Sequence, residues 1–301
     1  MGITRKEALD CFQSDDLIGI GMEADAVRRH LHPEGVVTYV LDGQLDYTNQ
    51  TKDEAYAEIL RSIERIAARG ATSITLQGRP TPDHTIDWFK SLFRGVKLHF
   101  PTLHLHSLSA AEILAISNHS GSTTYDTLAE FQEAGLNSFP GNDARIFVNL
   151  EDWLIIHRTA HKLGMHTTAS LHFKPGETPE DRLTYLIALR DLQEETGGFT
   201  SFEPQTILST IHEEPTAVEY LKTLAISRLY LDNIPNIQSS LDTQGLKVLQ
   251  VGLRFGSNDA GSILLANGPN AASEEQVRQV IRDAGFNPVQ RDSLYRTLFL
   301  N

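Results

Sequence analysis

The chain has 301 residues, of which 40% are hydrophobic and 22% are charged, and its formal net charge is −13. This length suits one large α/β barrel or two smaller domains, and the composition is ordinary for a globular protein. The negative charge argues against a general nucleic-acid or anionic-membrane binder, because phosphate contact needs a basic surface.

Two amphipathic helices are predicted at the start of the chain, in "TRKEALDCF" (4–12) and "SDDLIGIGMEADAVRRHLHPEG" (14–35). Ser14 is a good N-cap for the second helix. The single cysteine, Cys11, is expected to be an inert core thiol. One cysteine excludes an intrachain disulfide and any iron–sulfur or zinc site made only of cysteines.

Strands and helices then alternate along the chain. Buried strands are predicted at 36–41, 71–78, 102–109, 136–141, 165–173 and 198–204. Helices are predicted at 51–70, 85–101, 110–121, 123–135, 150–164, 178–197, 214–234 and 273–285. Such alternation is typical of right-handed βα units around a parallel sheet. We therefore expect an α/β fold with a full or partial TIM-type barrel, whose chemistry lies at the C-terminal strand ends.

One domain covering 1–301 is the simplest organisation. It comprises N-terminal helices (1–35), a barrel core (36–215) and C-terminal barrel units with a cap (216–301). The sequence has no recognisable secretory signal and no apolar run of membrane-spanning length, so we expect a cytoplasmic protein.

Several stretches resemble the radical SAM dehypoxanthine futalosine cyclases, which are related to aminofutalosine synthase and to the F420-precursor synthases. They include "LHPEGVVTYV", "YTN" (47–49), "HLHSLSAAEI", "AGLNSFPG", "AHKLGMHTTA", "ETPEDRLTYLIALRDLQEETGGFTSF", "TAVEYLKTLAISRLYLDNIPNIQSS" and "IRDAGFNPVQRDSLY". The resemblance covers nearly the whole chain. It implies a radical SAM-like barrel with N-terminal helices and a C-terminal extension, and a connection to bacterial menaquinone or related natural-product biosynthesis.

The sequence departs from that family where the radical chemistry would be. Family members hold a [4Fe–4S] cluster on a CxxxCxxC loop after "YTN", whereas here Asn49 leads almost directly into a helix. The family's "QGG", which contacts SAM, reads "QGRP" with Arg79. The family's glycine-rich turn reads "GNDARIF" with Arg145, and its "FIPWP"-like strand end reads "FEPQT" with Glu203. We therefore expect no cluster and no SAM binding.

Ionisable residues cluster at the predicted strand ends. Thr168, Ser170, His172 and Lys174 share one strand face by period two, and Glu203 follows on the next strand. His172 and Glu203 are candidates for a general acid/base pair. Alternatively, Glu203 neutralises a nearby arginine or lysine. Lys174 is a candidate Schiff-base lysine, although a solvated or ion-paired lysine is the simpler interpretation.

His104 and His106 face the same way on one strand. A substrate-contact or structural role is favoured for this pair over a divalent metal site, since the resembled family carries a similar strand without such a metal. The proposed substrate-binding residues are Asp42, Tyr47, Arg79, His104, His106, Arg145, Asn258 and Asp259. His157 and His161, four apart on a helix, are expected at the surface.

Three functions remain open from the sequence. The first is a repurposed enzyme that binds a nucleoside-like or aromatic carboxylate molecule and performs non-radical cyclase, isomerase or lyase chemistry. The second is a pseudoenzyme that partners a radical SAM paralogue. The third is a metal-dependent barrel enzyme using His104 and His106. A small-molecule ligand is expected, with a second copy of the chain or a radical SAM paralogue as candidate protein partners.

Overall fold

The fold comes from a computed structural model that describes residues 2–50, 53–141, 149–174, 176–207, 216–265 and 272–298. Helices α1 (Arg5–Gln13) and α2 (Leu17–Leu31) precede the first strand, as predicted.

The N-cap of α2 differs from the prediction. Asp16 takes this role, and its carboxylate accepts a hydrogen bond from the Gly19 N–H at 2.8 Å. Ser14 instead ends α1, and its hydroxyl accepts a hydrogen bond from the Asp16 N–H. Ser14 is the C-cap of α1, and Asp16, which directly precedes Leu17, is the N-cap of α2.

Nine strands and nine further helices follow in the described part of the chain. The strands are β1 (Val36–Asp46), β2 (Ser73–Gln77), β3 (His104–Leu105), β4 (Ser138–Phe139), β5 (His166–Phe173), β6 (Phe199–Thr206), β7 (Asn236–Ile237), β8 (Asp259–Leu264) and β9 (Asn287–Gln290). The helices are α3 (Asp53–Ala67), α4 (Ile86–His99), α5 (Ala110–Ser120), α6 (Thr124–Ala134), α7 (Leu150–Lys162), α8 (Pro179–Thr196), α9 (Ala217–Tyr230), α10 (Leu241–Gly252) and α11 (Glu274–Asp283).

Strands β1 to β8 form a closed parallel barrel in chain order. One half-barrel has the order β3-β2-β1-β8, and the other has the order β4-β5-β6-β7. Single bridges join the halves, His106 with Ser138 at one seam and Gln238 with Asp259 at the other. The predicted α/β barrel is therefore a full one, with helices before its first strand and a C-terminal extension after its last.

Strand β9 adds to the barrel from outside this order. It pairs in parallel with the first residues of β1, Val36 opposite Asn287 and Tyr39 opposite Gln290. The segment that follows β9 turns to the N-terminal end of the barrel, where Ser293 contacts His104, the first residue of β3. The C-terminal segment thus forms a floor beneath the barrel interior.

The main hydrophobic core lies between the strands and the surrounding helices. Phe89 and Phe93 of α4 pack against Phe131 of α6 with ring centroids 5.7 and 5.5 Å from it, and all three are fully buried. Burying each such ring stabilises the fold by roughly 1.5–3 kcal/mol. The inward strand faces are polar, which leaves the barrel interior available for a site.

Helix α7 carries two histidines whose predicted surface position is wrong. His157 is fully buried, and His161 is partly buried. The Nδ1 atom of His157 and the Nε2 atom of His161 both lie 2.8 Å from the Thr167 hydroxyl of β5. The buried stripe of α7 includes Trp153, Ile156 and Ala160, and its helical spacing turns His157 inward.

None of the helices in the described residues is long and apolar enough to span a membrane. The predicted division at residues 35 and 215 stays a prediction, as does the cytoplasmic location.

Candidate active site

The barrel encloses a polar cavity of about 160 Å³. Alternate residues of the strands point into it, as in Val40, Asp42 and Gln44 of β1, because side chains on a strand alternate between faces. Its polar lining consists of Asp42, Gln44, Ser73, Thr75, Gln77, His106, Thr168, Ser170, Ser201, Glu203, Gln205, Gln238, Asp242, Ser262, Arg291, Ser293 and Tyr295. The interior is therefore rich in hydroxyl, amide and carboxyl groups.

Glu203 faces this cavity from β6, directly opposite Ser170 of β5 in the strand register. Burial raises the pKa of its carboxyl to about 7, against hydrogen bonds from Ser240, Gln205 and Gln238 that lower it. The Gln205 amide donates to Oε2 at 2.8 Å. A carboxyl with this pKa is present in both protonation states near neutral pH, so it can accept and return a proton.

Asp42 lines the opposite wall, in β1. Its oxygens accept hydrogen bonds from the hydroxyls of Ser73 at 2.6 Å and Thr75 at 2.9 Å. Burial raises the pKa of this carboxyl as well. Asp42 was predicted at the end of the first strand and lies within it, and its role in substrate binding stays a prediction.

His104 and His106 both face the interior, but at different depths. His104 is buried above the floor, where its Nδ1 atom lies 2.5 Å from the Ser293 hydroxyl. His106 lines the cavity, with Nδ1 2.6 Å from the Ser138 hydroxyl. Burial lowers the pKa of His104 to about 4 and that of His106 to about 3, so both rings are neutral at physiological pH.

The metal hypothesis for this pair gains no support. Among the described residues, no cluster of three or more His, Cys, Asp or Glu side chains is placed to hold a metal ion. A two-histidine site would lack the further ligands that divalent zinc needs. Each Nδ1 already has a serine partner, which favours a structural or substrate-contact role.

His172 and Lys174 lie further along β5, toward its C-terminal end. His172 pairs with Gln205 in the register and stands outside the cavity lining. Lys174 is exposed just after the strand. A Schiff-base lysine is activated by desolvation, which this position does not provide. The catalytic roles of both residues stay predictions, and the geometry favours Glu203 over them.

Three residues of the C-terminal segment line the cavity and were not predicted from the sequence: Arg291, Ser293 and Tyr295. The Arg291 guanidinium binds the Asp259 carboxylate through Nε at 2.5 Å and Nη2 at 2.7 Å. Burial alone would lower the pKa of Arg291, but the Asp259 charge outweighs it and keeps this pKa above its ordinary value. Arg291 is thus a neutralised cation beside the cavity.

The structure corrects the predicted ligand contacts at Asn258 and Asp259. Both lie at the N-terminal start of β8, away from the strand ends where barrel chemistry occurs. The Asn258 side chain accepts hydrogen bonds from Arg228 Nη2 and from the Ile237 N–H. Asp259 binds Arg291 and also accepts from the Thr38 hydroxyl. Their hydrogen bonds are made inside the protein.

Tyr47 is also corrected. Its side chain is fully buried outside the barrel interior and packs edge-on against His84 and Phe89 at centroid distances of 5.2 and 5.1 Å. Its hydroxyl donates to Glu112 Oε1 at 2.5 Å. Burial and the Glu112 charge raise the pKa of Tyr47, so its hydroxyl stays protonated as a donor. Because Glu112 belongs to α5, this hydrogen bond fixes the end of β1 against that helix.

A second cavity of about 500 Å³ opens beside the first, between the ends of β1 and β2 and the start of α5. Arg79, predicted to fill a former ligand space, is exposed and contributes to its lining. Arg145, the other arginine predicted from the family comparison, lies outside the described residues.

Comparison with known proteins places the chain in a family. A family model described as the CofH/MqnC C-terminal region matches residues 199–300. The cyclic dehypoxanthine futalosine synthase of Halalkalibacterium halodurans is 32% identical over 338 aligned positions, covering 98% of this chain and 91% of that protein. The chain belongs to the cyclic dehypoxanthine futalosine synthase family. The Streptomyces coelicolor synthase is 31% identical, with 99% and 86% coverage.

Solved structures support the same fold. The crystal structure of methylornithine synthase (PylB) superimposes with a TM-score of 0.70 at 15% identity, covering 96% of this chain and 94% of that one. The alignment with the first futalosine synthase is longer than the 301 residues of this chain, so that relative has segments that this chain lacks.

The residues present do not fit the iron–sulfur cluster that the family resemblance implies. A [4Fe–4S] cluster on a CxxxCxxC loop needs three thiolates, whereas the present chain has one cysteine. Cys11 lies in α1, where burial raises the pKa of its thiol and disfavours the thiolate that binds iron.

Proposed function

We propose that this chain is a cluster-independent member of the futalosine synthase family. It binds a nucleoside-like small molecule in the polar barrel cavity and performs acid–base chemistry of the cyclase, isomerase or lyase type. The observation that carries this proposal is Glu203, whose carboxyl faces the cavity with a pKa of about 7. The family relationship suggests a place in menaquinone-related or other bacterial natural-product biosynthesis.

Glu203 is the proton-transfer group in this proposal. A general base works best when its pKa is near the working pH, because it is then both ionised and reasonably basic. The carboxylate removes a proton from the ligand, and the resulting acid returns it at another position of the same ligand. No external oxidant or reductant is needed.

The other lining groups bind and orient the ligand. Among the described residues of the wall, amides and hydroxyls outnumber charged groups, which suits the hydroxyls of a ribosyl-like moiety. Asp42 is held by Ser73 and Thr75, and the ring of His106 is oriented by Ser138. Because these side chains already have fixed positions, they lose little freedom when a ligand binds.

An inactive partner of a radical SAM paralogue is the second candidate function. It is favoured by the single cysteine, which cannot supply the three thiolates of the family's cluster. Under this alternative the cavity binds ligand without turnover. A stable complex with such a paralogue in size-exclusion chromatography supports it, whereas turnover by the purified chain alone rules it out.

The test combines binding with turnover. Purified protein is titrated calorimetrically with dehypoxanthine futalosine, with SAM as a parallel ligand, and conversion of the nucleoside is followed by mass spectrometry. We expect binding of the nucleoside but not of SAM, together with a change in the nucleoside's structure.

Glu203→Gln is the decisive variant. We expect turnover to fall by about 100-fold or more while binding changes little, because loss of a general base typically costs a factor of this order. Glu133→Gln is the matched control, since Glu133 is exposed on α6. Wild-type turnover in Glu203→Gln contradicts the proposed chemistry.

A further inference from the structure

Helix α2 carries an exposed row of apolar side chains. Ile18 and Met22 are 64% and 67% exposed and lie about one helical turn apart. Ala26, one further turn along, is also exposed. Residues four apart lie on the same side of a helix, so the three form one continuous surface, which we call the α2 strip. A contiguous exposed apolar surface marks an interaction site more often than scattered single residues do.

The other side of α2 is packed against the rest of the protein. Gly21 lies so close to the Phe255 ring that a Cβ atom at this position would be 2.6 Å from it. The Arg28 guanidinium lies over the Phe286 ring, 4.6 Å from its centroid, and Ile20 is buried. The helix is therefore attached by one side only, and the α2 strip faces away from the described part of the chain.

Charges of opposite sign flank the α2 strip. Asp15 is exposed just before the helix, next to the N-cap Asp16. At the other end, Arg29 is 63% exposed and shares the Asp25 carboxylate with Arg28, at N–O distances of 3.5 and 2.8 Å. One carboxylate thus serves two guanidiniums, which leaves a surplus of positive charge at the C-terminal end of α2.

This arrangement is complementary to itself when it is reversed. Asp15 lies seven positions before Met22, and Arg29 lies seven positions after it. If two copies of α2 cross antiparallel at Met22, each Asp15 faces the other copy's Arg29, and each Ile18 faces the other copy's Ala26. Parallel packing would instead bring like charges together at both ends. A two-fold axis through Met22 generates the antiparallel pairing, as the interface of a symmetric dimer requires.

We propose that the α2 strip is the interface of a homodimer in which two copies of α2 pack antiparallel about a two-fold axis at Met22. The apolar side chains cover one another, and pairs between Asp15 and Arg29 close the two ends. No residue of α2 lines either of the described cavities, so this inference is independent of the proposed acid–base chemistry.

The area of this contact predicts a weak, reversible dimer. Helix α2 has 15 residues and is therefore about 22 Å long. One helix side of this length buries less than the roughly 800 Å² per partner of a standard stable interface. We expect a dissociation constant on the order of 10 µM.

Sedimentation velocity tests the proposal with the full chain. Between about 1 and 200 µM protein, the 33.5 kDa chain should convert into a species of twice that mass. Met22→Glu places two carboxylates face to face at the axis and should weaken dimerisation by about 100-fold or more. Leu98→Glu, at a 78% exposed position of α4, is the matched control and should keep the dissociation constant within about twofold.

An exchange of charges tests the antiparallel arrangement. Asp15→Arg alone and Arg29→Glu alone each bring like charges together and should weaken the dimer by about tenfold. The double variant again brings opposite charges together, so its dissociation constant should return to within about threefold of wild type. Melting temperatures close to wild type confirm that the variants are folded.

The outcomes decide the proposal. A monomer at every concentration overturns it, because the α2 strip then does not bind a second copy. A dimer that Met22→Glu leaves intact also overturns it, since the interface then lies elsewhere. Single charge variants that weaken the dimer without recovery in the double variant contradict the antiparallel pairing. Loss of the dimer in Met22→Glu but not in Leu98→Glu, together with recovery in the double variant, supports the proposal.

Discussion

At the scale of single residues, Glu203 and Asp42 are two buried carboxyls of one cavity whose surroundings raise the pKa of both. Asp42 accepts hydrogen bonds from two hydroxyls, which stabilise its charged form against burial. Glu203 has the negative charge of Asp242 nearby in addition to its burial, and its pKa reaches about 7. A pKa of about 7 suits Glu203 to proton transfer at neutral pH, and the two hydroxyls hold Asp42 in position.

The pH dependence of turnover follows from this assignment. A general base must be ionised, so kcat/KM should fall below a pKa of about 7, approaching a tenfold loss for each further pH unit. Initial rates with the nucleoside between pH 5 and 9 measure this profile. A profile that is flat through pH 7 contradicts the role of Glu203 as the base.

A buried ion pair fixes the cavity floor. Asp259→Asn leaves the Arg291 charge buried without a counter-charge, which should lower the free energy of unfolding by about 3 kcal/mol. Urea denaturation measures the loss. Asp87→Asn, which changes the exposed partner of Lys90, is the control and should cost less than about 1 kcal/mol. The double variant Asp259→Asn with Arg291→Met should regain part of the lost stability, because it no longer buries an unpaired charge. A double variant no more stable than Asp259→Asn alone would contradict this explanation.

At the scale of elements, α7 is joined to β5 through neutral histidines. Burial lowers the pKa of His157 well below its ordinary value of 6.5 and that of His161 to about 4. Their folded pKa values are thus below the unfolded value. The stability that depends on their neutral forms is full above pH 6.5 and is lost as the pH falls toward about 4 and below.

The variant His157→Phe tests this acid sensitivity. Phenylalanine keeps a ring against Trp153, Phe139 and Phe199, and it removes one buried titrating group. Denaturation at several pH values should show a shallower loss of stability below pH 6.5, by up to about 1.4 kcal/mol per pH unit. His119→Gln, at the exposed end of α5, is the control. An unchanged slope in His157→Phe would disprove the assignment.

Periodicity predicted the elements well but not every side-chain direction. Alternating βα segments predicted the barrel. Glu203 was predicted at a strand end, whereas β6 continues to Thr206 and Glu203 lies within the strand and faces the cavity. The buried position of His157 was present in the sequence as the stripe that includes Trp153 and Ala160, although the two histidines alone suggested a surface pair. Asn258 and Asp259 were misplaced because the start of β8 could not be located from composition.

At the scale of the whole molecule, the floor of the cavity could not be predicted. Arg291, Ser293 and Tyr295 reach it because β9 pairs with β1, a contact between residues about 250 positions apart. No local pattern encodes such a return. The buried contacts of Tyr47 were missed for a similar reason, since they depend on how α4 and α5 pack against the end of β1.

The chain as a whole should not assemble a [4Fe–4S] cluster. After anaerobic incubation with ferrous iron and sulfide and subsequent desalting, we expect neither stoichiometric iron nor visible cluster absorption, because one thiol cannot replace three. A relative that carries the three-cysteine loop is the positive control. Stoichiometric cluster in the wild type that disappears in Cys11→Ser would show that Cys11 is a ligand.

The two seams of the barrel have a consequence for its breathing motions. Each half-barrel is held by strand ladders, whereas the halves meet at single bridges, His106 with Ser138 and Gln238 with Asp259. His106 and Gln238 also line the cavity, so a bound ligand contacts both halves and holds them together. The Ser107 and Ser239 amides, which donate across the seams at 3.1 and 3.0 Å, should exchange with deuterium faster than those between β5 and β6. Saturation with ligand should slow exchange more at the Ser107 and Ser239 amides than at the amides between β5 and β6.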